Sequence, residues 1–359
     1  MAGDNANGDD GRRAGRRSTV LKAAGLTLAG TLVLGIAAAG WAYWHLNSNI
    51  KSVDINSALG DDRPPRAVTT PTPSGTASAP ASPSTSPSPL PSGSLNILVL
   101  GSDSRSGKEN QALGGGSSTG ARSDTAMVVH LDAGRTKATV VSIPRDTLVT
   151  RPSCPLPSGG STAVAYGAMF NSAYSVGGAV CAVKTVESIT NVRMDHYIEI
   201  DFSGFAKLVD ALGGVTVTTD EDIDDQDSHL RLDAGTHELD GTQALALART
   251  RHGIGDGSDL GRIGLQQKLV KALLEQIAST DLLSHPTQLY DVADAVTGSL
   301  TTDTGLDSLT ELMRFGESLK GLPADRTTTV TMPVVQAPSD RNRVVAEEPE
   351  ASALWESLR

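Results

Sequence analysis

Leu95-Asn96-Ile97-Leu98-Val99-Leu100-Gly101-Ser102-Asp103 is the stretch on which the fold turns. A short apolar run ended by glycine reads as a buried strand. The carboxylate that follows then stands at a sheet edge, where ligands of α/β proteins bind. Downstream, β-branched runs at 125–131, 138–143, 196–201, 215–218 and 327–332 alternate with helical patterns at 179–190, 202–212, 241–248, 262–279 and 306–319. Strands and helices mixed in this way imply a sheet covered by helices, so the expected fold is α/β, with α/β/α layers around a central mixed sheet.

The chain ahead of this strand has another character. No charged residue occurs from Ala23 to Trp44, and about 20 apolar residues suffice to cross a bilayer as a helix. Basic residues from Arg12 to Lys22 precede the run, and Trp41, Tyr43 and Trp44 close it, the pattern of a positive-inside anchor with an interfacial aromatic belt. A cleaved signal peptide is the rival reading, but its hydrophobic region would be unusually long, which favours a retained anchor. From Pro64 to Ser94 the sequence is nearly all Pro, Ser, Thr, Ala and Gly, too poor in apolar side chains to fold, and it reads as a tether. The expected organisation is a cytoplasmic tail over 1–22, a transmembrane helix over 23–46, a linker over 47–94, an extracytoplasmic catalytic domain over 95–335, and a C-terminal tail of that domain over 336–359.

Charge narrows the class of partner. The chain carries a net charge of -11, while residues 1 to 51 hold six basic side chains against three acidic ones. A body this acidic is a poor nucleic-acid binder, because that affinity comes from neutralising phosphates with Lys and Arg. Any anion must instead meet a local basic pocket. The two cysteines, Cys154 and Cys181, lack zinc-ligand spacing. In an oxidising compartment they are expected to form a structural disulfide; otherwise they are a redox pair or two buried thiols.

Basic and acidic residues recur where strands end. Asp103 follows the first strand, Arg122-Ser123-Asp124-Thr125 precedes the second, and Ser142-Ile143-Pro144-Arg145-Asp146 closes the third. Taken singly, each is also ordinary turn chemistry. Arg249-Thr250-Arg251 follows a helical stretch, and in extended chain an i, i+2 pair puts both guanidiniums on one side. Arg262 and Gln266 share one face of the long helix that follows. Two Asp with no nearby His or Cys suit a hard, oxygen-liking ion such as Mg²⁺. Several Arg suit phosphate oxygens, which the guanidinium fork binds bidentately. That combination describes a pyrophosphate site, where transfer needs positioning and charge neutralisation more than a protein nucleophile.

These motifs resemble the LytR-CpsA-Psr family, which attaches glycopolymers to bacterial cell walls. The resemblance covers about residues 95 to 335 and adds Asn171-Ser172-Ala173-Tyr174 with Gly177-Gly178, Asp201-Phe202-Ser203-Gly204-Phe205, Leu212-Gly213-Gly214-Val215 and Leu239-Asp240-Gly241. It implies a single-pass membrane protein whose extracytoplasmic domain takes a polyprenyl-pyrophosphate-linked glycan from the membrane lipid and passes it to a peptidoglycan acceptor. It also implies roles: Asp103 and Asp124 as carboxylates around Mg²⁺ and, with Arg145, as candidate catalytic groups, and Arg122, Arg145, Arg249, Arg251, Arg262 and Gln266 as pyrophosphate contacts. Two positions depart from the family pattern. Met169 stands where many members have Lys, and Leu265 where many have Arg. The expected activity is that of a Mg²⁺-dependent phosphotransferase. A lipid-pyrophosphate hydrolase and a non-catalytic binder of the lipid-linked polymer are the alternatives.

Overall fold

The computed structural model describes residues 34–61, 63–66, 93–102, 123–156, 158–250, 259–280, 284–319, 322 and 324–359, without the side chains of 124, 259, 260, 278 and 324. The chain divides into two units, Met1–Asn49 and Ile50–Arg359. In the first, residues 34–49 are helical (α1), with Trp41, Tyr43 and Trp44 exposed. No helix among the described residues is long and apolar enough to cross a membrane. Residues 23–33 of the expected span lie outside the described residues.

The second unit opens with strand β1 (Lys51–Val53) and helix α2 (Ile55–Leu59), whose cap Asp54 accepts from the Ser57 amide. Strands β2 (Leu95–Ser102), β3 (Ser123–Leu131) and β4 (Ala138–Ser142) follow as an antiparallel meander. A hairpin of β5 (Leu148–Arg151) and β6 (Ala165–Met169) leads to α3 (Ser172–Thr190), then β7 (His196–Asp201) and α4 (Phe202–Ala211). Two small antiparallel pairs come from β8 (Val215–Thr219), β9 (Ile223–Asp225), β10 (Leu230–Leu232) and β11 (Gly235–Leu239). Helices α5 (Gly241–Arg249), α6 (Asp259–Ser279) and α7 (Pro286–Ser299) precede β12 (Leu300–Asp303) and α8 (Leu309–Ser318). The chain closes with β13 (Thr327–Thr331), the β14–β15 hairpin (Val334–Ala337, Asp340–Ala346) and α9 (Glu350–Glu356).

The central sheet has the order β1-β12-β7-β2-β3-β4-β13. It is mixed: β2 runs parallel to β7 and β4 to β13, while β3 lies antiparallel between β2 and β4. Alternation along the strands sends Leu98, Leu100, Val128, Val141 and Tyr197 to one face, where they pack with Val183 and Val186 of α3 and Trp355 of α9. Ile97, Leu131 and Ala138 pack with Phe315, Leu319 and Leu322. Each such side chain removed from water is worth about 1.5–3 kcal/mol. A third cluster joins Val209 of α4 and Leu247 of α5 to Leu265 and Leu269 of α6 over the β8–β11 pair. Gly241 permits this: a Cβ there would stand 2.1 Å from the Ala206 carbonyl oxygen, so α4 and α5 meet backbone to backbone.

Two expected boundaries are corrected. The folded body begins at β1, not at Leu95. Lys51, Ser52 and Val53 pair in parallel with Thr301, Thr302 and Asp303, and Ile55 is buried in the main core. Arg63 donates from Nε to Glu187 Oε2 at 3.0 Å and from Nη2 to Oε1 at 2.6 Å, both side chains being almost fully buried. A three-residue strand carries too little periodicity to be read from sequence, and the partner of Arg63 lies in a distant helix. At the other end, 336–359 is no tail: Ala337 pairs in the β14–β15 hairpin, and Trp355 is part of the main core.

Candidate active site

Because β2, β4, β7 and β13 share one direction, their carboxyl ends lie along one edge of the sheet. Ser102, Ser142, Asp201 and Thr331 are their last residues, and Ser123, the first residue of β3, pairs with Ser102 across a register shift. This is the edge where open α/β sheets hold ligands.

Arg145 leaves this edge three residues after β4. Its turn is pinned twice from the strand that returns: the Phe170 amide donates to the Thr147 carbonyl at 2.9 Å and the Asn171 amide to the Arg145 carbonyl at 3.2 Å. Asp146 lies 3.6 Å from Arg145 Nε and 3.3 Å from Arg343 Nη1 of β15. Arg343, a cation beside this turn, carried no motif in the sequence.

Helix α6 links Arg145's strand to Arg249. Gln267 Nε2 reaches both Ser142 Oγ and Thr331 Oγ1 at 3.3 Å, fixing the first turns of α6 over the ends of β4 and β13. Gln266 Nε2 donates to the Ala248 carbonyl at 3.0 Å, and Arg262 is buried one turn earlier. Arg249 is the last residue of α5, so it is helical and not part of an extended Arg-Thr-Arg segment as expected. Its Cζ stands 5.0 Å from the centroid of the Phe202 ring, a cation–π distance. Phe202 follows Asp201, which pairs with Ser102. Arg145 thus follows β4, Arg249 stands over the residue after β7, and Arg262 and Gln266 lie on the helix whose Gln267 meets the ends of β4 and β13.

Asp103, Arg122 and Arg251 lie outside the described residues, as does the Asp124 side chain. Asp124 is the second residue of β3, and its neighbours Ser123 and Thr125 pair with Ser102 and Gly101, the two residues before Asp103. Among the described residues no group of three or more His, Cys, Asp or Glu could hold a metal ion. The described carboxylates of this edge are already engaged: Asp201 caps α4 through the Gly204 amide, Asp146 faces two arginines, and Glu199 accepts from two phenols. The Mg²⁺ expectation therefore rests on Asp103 and Asp124.

Glu199 is the residue the sequence did not disclose. It is buried on β7, receiving Tyr174 Oη at 2.5 Å on Oε1 and Tyr197 Oη at 2.6 Å on Oε2. Burial, and then the charge of Glu199, push the Tyr174 phenol well above its ordinary pKa, and the same two causes in the same order raise Tyr197. Of the two departures, Leu265 is packed in the third core cluster, so this position faces apolar side chains. Met169 ends β6, two residues before Asn171. Cys154 and Cys181 are bonded to each other, tying the loop after β5 to α3. Gly177 makes room for that bond, since a Cβ there would be 2.7 Å from Cys181 Cβ.

A mixed sheet flanked by helices, with Arg145 just past the carboxyl end of β4, defines an α/β protein. The chain belongs to the LytR_cpsA_psr family, whose model matches residues 42–359. Among curated relatives it is 35% identical over 272 residues to "Probable cell wall biosynthesis protein LcpB" of Corynebacterium glutamicum, covering 74% of this chain and 61% of that protein. It is 32% identical over 220 residues to the polyisoprenyl-teichoic acid–peptidoglycan teichoic acid transferase TagU of Oceanobacillus iheyensis, covering 61% of this chain and 62% of that one. The chain thus spans less than two thirds of the length of either relative. Among solved structures it superposes on TagV of B. subtilis with a TM-score of 0.57 and 25% identity, over 75% of this chain and 97% of that one.

Proposed function

We propose that this protein is a phosphotransferase that moves a polyprenyl-pyrophosphate-linked glycopolymer onto peptidoglycan through a phosphodiester. The observation that carries the reading is the placement of Arg145 just past the carboxyl end of β4, with Arg249 over Phe202 after β7 and Arg262 on the helix whose Gln267 meets the ends of β4 and β13. Family membership and the wall-polymer activities named for the relatives support it.

In this mechanism a hydroxyl of the acceptor sugar attacks the phosphorus on the glycan side. The anhydride P–O bond breaks, and polyprenyl phosphate leaves with the bonding electrons. Arg145, Arg249 and Arg262, joined by Arg122 and Arg251, hold the phosphate oxygens and offset the charge that gathers on the leaving group. A carboxylate of the Asp103–Asp124 pair takes the hydroxyl proton. Asp103 and Asp124 would also hold Mg²⁺, which would supply charge neutralisation at the pyrophosphate. Gln266 acts through Ala248, keeping the end of α5 and hence Arg249 in place. The apolar run 23–44 anchors the chain where a lipid-linked donor resides, with the body outside the cell.

The test is transfer by the full chain in detergent, from a synthetic polyprenyl-pyrophosphate glycan to a peptidoglycan oligomer, with Mg²⁺ or a chelator. Product should depend on the metal and fall about 100- to 1,000-fold in Arg145→Ala, the usual loss for one aimed donor. Donor consumed equally fast without acceptor would make the protein a hydrolase. Donor bound and never consumed would make it a passive holder.

A further inference from the structure

Helix α3 is broken near its start. Gly177 (φ -140°, ψ 20°) and Gly178 (φ 62°, ψ -154°) leave helical geometry, so Ser172–Val176 forms a turn set apart from the long segment that packs on the sheet. A single turn has almost no stability of its own, because forming the first turn is the costly step in a helix. Something else must hold it.

Glu199 is one hold, beside the burial of Ala173 with Cys154 and Cys181 and the bond from Ser172 Oγ to the Met169 carbonyl. The Tyr174 phenol, in the middle of that turn, donates to Glu199 Oε1 at 2.5 Å, and Tyr197 Oη, two residues from Glu199 on the same strand, fills Oε2. Bonds from phenols to a buried carboxylate are charge-assisted and among the stronger hydrogen bonds in proteins. Immediately before the turn, the Asn171 amide donates to the Arg145 carbonyl. The carboxylate on β7 is therefore joined to the Arg145 turn through Tyr174, one helical turn and one backbone hydrogen bond.

The geometry points to Glu199 and Tyr174 as positioning residues for Arg145: they fix the turn from which this guanidinium reaches the pyrophosphate and do not touch substrate themselves. The inference rests on the function proposed above. Both oxygens of this carboxylate face phenols.

The test is a double-mutant cycle on the full chain, read by transfer kinetics and by amide hydrogen exchange. Tyr174→Phe should lower kcat/KM about tenfold while leaving the thermal midpoint within a few degrees, and Glu199→Gln, whose amide can still meet both phenols, about threefold. Combined with Arg145→Ala, Tyr174→Phe should cost no more than about a further threefold, because both act through one side chain. Exchange of peptide 142–148 should rise in Tyr174→Phe, with peptide 215–239 unchanged. Losses that multiply in the double mutant, or unchanged exchange at 142–148, would overturn the inference. Should Tyr174→Phe not fold, Glu199→Gln carries the same cycle. A wild-type chain that neither binds nor transfers donor would sink the proposed function, while the exchange result would still decide whether this network holds the turn.

Discussion

At the scale of single residues, the buried phenols make a prediction that needs no substrate. Tyr174 and Tyr197 have pKa values raised above 10.0, by burial first and the Glu199 charge second. In the unfolded chain both ionise near pH 10, while in the folded protein they stay protonated. Their contribution to stability is therefore complete below pH 10 and is lost as pH climbs from there toward the folded values. The unfolding free energy should fall above pH 10 by up to about 1.4 kcal/mol per pH unit for each phenol that remains protonated, read from denaturant titrations. Replacing both tyrosines by Phe should flatten that limb, and a double variant with an unchanged alkaline slope would refute it. Arg145 was legible as a residue of the edge because arginine next to a strand end is conspicuous in sequence. Glu199 was not, because Glu in His196–Asp201 reads as the solvent-facing position of a strand. The tyrosine that covers it comes from another element, and no local pattern carries that information.

Elements were legible where their periodicity is long. The strands of the meander, β7, β13 and helices α4, α5, α6 and α8 all fall where the apolar pattern set them, with ends moved by a few residues. Helix α3 begins seven residues earlier than expected from its apolar run at 179, because the glycine pair displaces its first turn without ending it. Strands β1 and β12, at one side of the sheet, were not read as strands, since three or four residues cannot display a period. At this scale the disulfide is the feature to probe. It joins the loop after β5 to α3 with a sequence separation of 27. Closing a loop of that size restricts the unfolded chain by about 3.5 kcal/mol. Cys154→Ser with Cys181→Ser should lose roughly that much in urea unfolding, and adding a reductant to the wild type should do the same. Equal midpoints with and without the bond would mean that the hairpin is held to α3 by packing alone.

For the molecule as a whole, the consequential finding is where the body starts. Composition placed the boundary at Leu95, after a segment rich in Pro, Ser and Thr, and a soluble form would naturally be cut there. Such a cut removes β1 from the sheet, Ile55 from the main core and Arg63 from Glu187. The last loss weighs most. Glu187 is buried, where it also accepts from the Met194 amide, and stripping the partner from a buried ion pair costs about 3–5 kcal/mol. Loss of Ile55 adds about 1.5–3 kcal/mol. Against a total stability of about 5–15 kcal/mol for a typical domain, the sum removes a large share of what holds the fold. Residues 50–359 should therefore unfold in one cooperative urea transition, and residues 95–359 should unfold at much lower urea or aggregate on expression. The full-length Arg63→Ala variant isolates the ion pair and should account for the larger part of the difference. Indistinguishable midpoints for the two soluble forms would show that the first 45 residues of this unit decorate the sheet without stabilising it, and would restore Leu95 as the working boundary.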